Sequence, residues 1–362
     1  MKTKSLLNVM FGFFVIIIFS LTGCDWFSSD SDNGDSGGDN TVTDIFDAAK
    51  NPGDVVNVTA GSKNFNMIYA NNKSTTIPTG VDDDGSATLN INYFIGETEV
   101  TNALAVEVLQ WAHDNGKFSD TESDHNGLSS STAKYGSRQL IDLDNAYSRV
   151  NYSAGSFTVD SGYENHPVVC VTWFGAVMMC NWLAEMQDGT TNNLVYSGID
   201  TSWEYNETVE DPLKSGYRLP SLDEWELAAR YIDGTEWLYG DHASGDESGA
   251  CWWDGYEGSI LGGQSLSTVF GDYAWYRDNS GELTHEVKQK LGNALGIYDM
   301  SGNIGEWCWA RAGSLYEGQC CFRSGSCYGL PMSLTVGISY SPGTDPTYPS
   351  RAVGLRIAKS KP

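Results

Sequence analysis

Gly296-Ile297-Tyr298-Asp299-Met300-Ser301-Gly302-Asn303-Ile304-Gly305-Glu306-Trp307 is the stretch from which the rest of the chain is best read. Asp299 is suited to cap a turn here, and Glu306 to pair with an arginine such as Arg218 or Arg356. Around it, from Gly240 onward, Gly, Trp, Tyr and turn residues dominate, so this half reads as irregular loops and short strands. Trp275, Trp307 and Trp309 are assigned to a core, where aromatic area stabilises an irregular domain.

Upstream the periodicities are clearer. Ser221-Leu222-Asp223-Glu224 is a capping box opening a helix through Trp225, Leu227, Ala228 and Tyr231. The apolar run Val168-Val169-Cys170-Val171 reads as a buried strand. It leads into a helix over Thr172–Met186 whose apolar residues exceed one face, so that helix is expected to be largely buried. Thr101-Asn102 caps a helix carrying Leu104, Val108, Leu109 and Trp111. Ile91–Ile95 and the stretch around Phe65–Tyr69 read as strands, and Asp82-Asp83-Asp84-Gly85 as a turn.

The N-terminus carries an address. Lys2 and Lys4 precede an apolar run from Leu6 to Leu21, a secretory n-region and h-region too short to span a bilayer comfortably. It ends Leu21-Thr22-Gly23-Cys24, which resembles a bacterial lipobox. Residues 1–23 are therefore expected to be a signal peptide and Cys24 the lipidated residue. Residues 24–59, rich at first in Ser, Asp, Gly and Asn, read as a tether, and 60–362 as one domain. The expected setting is a bacterial lipoprotein at the outer membrane or cell surface.

Composition narrows the function. The 362 residues are 40% hydrophobic and 12% aromatic, enough for a sizeable core. A net charge of -26 argues against nucleic acid as a partner. Lipidation would leave seven of the eight cysteines, an odd set without a CxxC pair. The five histidines form no H-x-x-x-H or H-E-x-x-H pair, and no phosphate-binding loop is present.

Four ordered segments resemble the formylglycine-generating-enzyme (sulfatase-modifying-factor) family: Gly96–Asn102, His166–Leu183, Tyr217–Arg230 and Gly296–Trp307, with Gly354–Ala358 similar to its closing strand. The resemblance implies a loop-rich α+β domain of the C-type lectin fold, with short strands and a few helices. It also implies calcium on Asp299, Gly302, Ile304 and Glu306, a set of hard oxygen ligands from a turn that suits that ion. Gly305 stands where the family usually has tryptophan. In the catalytic members, copper-binding cysteines lie third and eighth after a Gly-Gly-Ser turn. Here that turn resembles Ser324-Gly325-Ser326, which places Gly329 and Leu334 at the two thiol positions, so no copper is expected.

Between Cys320 and Leu355 the composition changes. At the chain's average, 36 residues would hold about five or six of Lys, Glu, Gln, Trp and Met, yet this window holds Met332 alone. The other 35 are of types encodable by codons ending in C, as randomised AAC codons would produce. This resembles the lectin-fold variable proteins of diversity-generating retroelements, including variable lipoproteins of spirochaetes, and implies a variable region over 310–355. The resemblance places ligand binding at Tyr328, Gly329, Leu330, Met332, Ser339, Ser341, Thr344, Asp345, Tyr348, Ser350, Arg351 and Ala352. The expectation is a non-enzymatic, surface-displayed binding lipoprotein, a monomer by default, whose partner is a protein or cell-surface ligand. The alternatives are an extracytoplasmic copper oxidase acting on a sulfatase cysteine through a rearranged Cys320, Cys321 or Cys327, and a structural envelope lipoprotein.

Overall fold

Val55–Ala60 alternates exposed and buried residues along its whole length and turns back through Gly61-Ser62 into Lys63–Tyr69. The turn is tight because Gly61 has φ +57° and lies against Glu107 of the first helix, whose carboxylate accepts both the Ser62 N–H and its hydroxyl. The hairpin starts an antiparallel sheet that continues with Asn92–Gly96, then the C-terminal strand Ala358–Lys361, then Tyr217–Arg218. The computed structural model describes residues 45–70, 74–117, 132–135, 138–199, 208–251, 267–310, 320–340 and 345–361. The described structure before residue 60 already includes a short 3-10 helix over Ile45–Ala48. Residues 45–59 belong to the domain, because Val56 and Val58 are core residues in a segment whose Asn, Asp, Gly and Pro neighbours disguise it.

Helix α1 (Asn102–Asp114) starts where Thr101 accepts the Leu104 N–H at 3.2 Å, and buries Leu104, Val108 and Leu109. Helix α2 (Trp173–Asp188) is capped by Thr172 and ends at Gly189, whose φ of +65° supplies the left-handed stop. Every residue from Trp173 to Ala184 is buried, as its all-round apolarity predicts. At Gly175 an added Cβ would lie 2.0 Å from the Leu140 carbonyl oxygen, so glycine sets how closely the helix approaches its neighbour. The strand expected over Val168–Val171 does not form. The Val168 and Cys170 N–H groups go to Val100 and Ser350, and the Cys170 carbonyl to Asp142. Cys170 itself turns at φ +61°, so successive residues bond to different partners and no ladder results. No helix among the described residues is long and apolar enough to cross a membrane.

Helix α3 (Leu222–Arg230) has the capping box that Ser221 and Glu224 predict, and more. Glu224 also receives Arg218 in a fork at 2.6 and 2.8 Å, both side chains being fully buried. Two residues on, Glu226 accepts Arg230 and Arg323, and Arg230 reaches back to Asp83, so the Asp82–Gly85 turn is tied to the helix. A second sheet holds Gly305–Cys308 between Cys321–Arg323, antiparallel, and Val353–Leu355, parallel. These are mixed sheets and few helices joined by long irregular stretches, an α+β fold.

Candidate ligand-binding cleft

Asp299, Gly302 and Asn303 all take positive φ, and Gly302 must be glycine, since a Cβ would lie 2.1 Å from the Trp275 carbonyl oxygen. The turn feeds Glu306 into the interior. There the Arg356 guanidinium grips both its oxygens at 2.6–3.0 Å and the Trp225 indole N–H donates to one at 2.6 Å. Of the arginines the sequence offered, Arg356 is the partner; Arg218 serves Glu224. Asp299 accepts the Lys288 N–H through Oδ2 at 2.7 Å, leaving Oδ1 buried without a hydrogen-bond partner. Burial pushes its pKa up to about 6. The Gly302 carbonyl accepts the Ser324 hydroxyl, and Ile304 is buried. As arranged, the expected set does not fit calcium, because Glu306 is committed to Arg356 and one free oxygen of Asp299 remains. Among the described residues no group of three or more His, Cys, Asp or Glu side chains could hold a metal ion.

Gly329 and Leu334, the two positions at which the resemblance would put catalytic thiols, are adjacent. A Cβ on Gly329 would lie 2.7 Å from Leu334 Cδ1 and 2.5 Å from Ser333 Oγ, and Leu334 is completely buried. The isobutyl group thus fills the space between them. Cys320, Cys321 and Cys327 are buried; burial pushes Cys327 up to about 12 and raises Cys320. Cys320, just before the strand, and Cys321, its first residue, join different hydrophobic clusters, so they face apart. Gly305, in place of tryptophan, makes room for Phe322, whose ring atom would lie 2.7 Å from an added Cβ and whose face stacks on Tyr340 at 4.9 Å. Of the three tryptophans assigned to the core, Trp307 is buried, whereas Trp309 stacks on Trp173 at its margin. Trp275 is half-buried and stacks on His285 at 3.7 Å.

Two expected binding residues meet in a cleft of about 400 Å³: Tyr328 and Arg351. The Arg351 guanidinium sits 4.3 Å from the Tyr328 ring centre and 4.5 Å from that of Tyr147, two rings perpendicular to each other, and donates to the Tyr147 hydroxyl. Burial pushes the Tyr328 hydroxyl up to about 12, so it stays protonated. The remaining expected residues disperse. Met332 and Tyr348 are exposed, at 44% and 64%, outside the cleft lining. Gly329, Ser350 and Ala352 spend backbone groups on the fold, through Arg277, Cys170 and Gly305. Leu330 and Ser339 are half-buried, and Asp345 folds onto Thr347. Ser341, Thr344 and Cys24 lie outside the described residues.

The rest of the wall comes mostly from residues that no motif marks; His166, which opens the segment His166–Leu183, is an exception. The Arg149 guanidinium lies 4.1 Å from the Tyr163 ring centre, Tyr163 and His166 meet at a tilt of 50° with ring centres 4.7 Å apart, and His166 approaches Thr284 at 3.4 Å. Burial lowers the His166 pKa, so its imidazole is neutral near pH 7. The signal that could have found them is weak: Tyr147, Arg149 and Tyr163 are large side chains within a loop-forming Asn-Ser-Gly stretch.

Comparison with known proteins agrees with this architecture. The family described as "Sulfatase-modifying factor enzyme 1-like domain" matches residues 42–361. The chaperone protein LppX of Paenibacillus barcinonensis is 31% identical over 212 residues, 55% of this chain and 71% of the relative. The serine/threonine-protein kinase Pkn1 of Chlamydia trachomatis is 27% identical over 161 residues, covering 44% of this chain and 16% of the kinase. Among solved structures, Treponema denticola variable protein 1 superposes with a TM-score of 0.56 at 24% identity, covering 84% of this chain and 98% of that one. PvdO from Pseudomonas aeruginosa gives 0.51 at 18%, covering 86% and 100%. These structures share the fold, and the family match extends over nearly all of the described residues: the chain belongs to the sulfatase-modifying factor enzyme 1-like family.

Proposed function

We propose that this chain is an extracytoplasmic lipoprotein, anchored through Cys24 and displayed at the cell surface, that binds a ligand through a diversified C-terminal segment without catalysis. One observation carries the reading: Leu334 packs into the space at Gly329 where a catalytic member would place two thiols, while Tyr328 and Arg351 of the same segment open onto a cleft. Copper chemistry needs paired thiolates, and an isobutyl group supplies no ligand. The likeness to a variable protein supports a scaffold that carries changeable side chains, and a relative named a chaperone fits binding better than turnover.

Sequencing the 3′ end of the gene across many cells of one lineage tests it. Substitutions confined to template adenines and clustered between Cys320 and Leu355 are the expected result. An invariant 3′ end, together with copper-dependent loss of a sulfatase-peptide thiol in the presence of the chain, would replace it with the oxidase reading.

A further inference from the structure

Arg351 is a cation without a carboxylate partner among the described residues, in a chain whose net charge is -26. Its Nη1 is held by the Tyr147 hydroxyl and its plane by the corner of two perpendicular tyrosines, which leaves the Nε–Nη2 edge with no hydrogen-bond partner among the described residues. That edge carries two parallel N–H donors, the half of a fork that a planar carboxylate completes. Across the same cleft stands Arg149, its guanidinium over the Tyr163 ring, with Asp160 at a long 3.5 Å. The protonated Tyr328 hydroxyl and Thr284 add neutral polar groups, and the cleft takes a body of monosaccharide or single amino-acid size.

We infer that the cleft between Tyr147, Arg149, Tyr163, Tyr328 and Arg351 binds an organic carboxylate, with the Arg351 Nε–Nη2 edge as its anchor and Arg149 as a second, weaker cation. The inference rests on the binding reading above and names the chemistry of its ligand. Fixed residues supply Tyr147, Arg149 and Tyr163, and the C-terminal segment supplies Tyr328 and Arg351, so changes in that segment would alter selectivity for the body of the acid.

Calorimetric titration of the full chain with four probes tests this: glucuronate against glucose, and N-acetyltyrosine against N-acetyltyrosine amide. The expected result is millimolar binding of at least one acid and at least tenfold weaker binding of its neutral counterpart. Whichever acid binds more tightly tells a sugar source from a peptide terminus. Arg351→Gln should weaken that acid at least tenfold and Arg149→Gln by a smaller factor; Arg351→Lys, which keeps the charge and loses the fork, should fall between wild type and Arg351→Gln. Arg351 is exposed, so its variants should fold, and an unchanged unfolding midpoint is the control for the half-buried Arg149→Gln. Equal binding of acid and neutral partner, no binding by either acid, or no loss in Arg351→Gln would overturn the carboxylate assignment. Those results would leave the binding reading standing, which falls separately, to copper-dependent thiol oxidation.

Discussion

Arg351 and Arg356 lie five positions apart and face opposite conditions. Arg356 is fully buried, with Glu306 on three of its hydrogen bonds and the carbonyls of Gly96 and Tyr298 on the others. Arg351 stands exposed in an aromatic corner with a vacant edge. The first has every donor directed into the fold, so removing its partner strands a charge. The second holds donors in reserve, so removing it costs the fold little. The boundary between scaffold and binding surface therefore runs within a few residues of Val353.

The sharpest way to break that contrast is Glu306→Ala. It leaves a buried guanidinium uncompensated and should cost about 3–5 kcal/mol in urea unfolding. Replacing Glu306 and Arg356 together by methionine should recover most of the loss. A loss below 1 kcal/mol for Glu306→Ala would mean that water reaches Arg356 and that the two arginines differ less than their burial implies.

Next in size is Gly329→Cys, whose Cβ meets Leu334 and Ser333 and should destabilise the chain by about 1–3 kcal/mol through overpacking. Adding Leu334→Cys removes the Leu334 part of that clash and should restore part of the stability. The double variant should also bind Cu(I), read by competition with a chromogenic copper chelator. Failure to bind would mean that the two positions are not aligned as a thiolate pair.

A third test concerns Asp299, whose carboxyl is held near 6 by burial, above its unfolded value. A group raised in this way binds its proton more tightly when folded. Its contribution is complete below about pH 4 and is lost as pH rises through about 6. The stability of the wild-type chain relative to Asp299→Asn should therefore fall across that window, by about 2–3 kcal/mol for a shift of about two units in a buried group. Calcium should not change the unfolding midpoint; a calcium-dependent rise abolished in Asp299→Asn would instead restore that ion to the turn. The smallest expected effect is Arg351→Gln, within about 0.5 kcal/mol of wild type. A larger loss would make Arg351 part of the scaffold.

The helices were the most legible part of the chain, because their signals are local. Thr101, Thr172 and the Ser221/Glu224 box each sit at a helix start, and the apolar excess after Thr172 predicts its all-round burial. Val168–Val171 misled because an apolar run reports burial and not pairing; its backbone groups go to several distant segments. The first strand was hidden by polar neighbours that face solvent along a period of two. Within the site, Tyr328 and Arg351 were legible from the odd composition of their segment. Tyr147, Arg149 and Tyr163 were not, because nothing local says that a loop near residue 150 will face residue 351.

The stacking of Tyr340 over Phe322 has a consequence for length. Those two residues exchange backbone hydrogen bonds in both directions, and at the far end the Ser350 carbonyl accepts the Cys170 N–H. Before that point the chain is already held at Pro346, whose carbonyl accepts the Trp173 N–H. The connection between Tyr340 and Pro346 is thus closed between two fixed points, and the entropy of closing a loop grows only with the logarithm of its length, so doubling that length would cost about 0.6 kcal/mol, far less than breaking the Glu306–Arg356 pair. A change of length between Tyr340 and Pro346 is therefore open to this protein as a second axis of variation, beside the exchange of side chains.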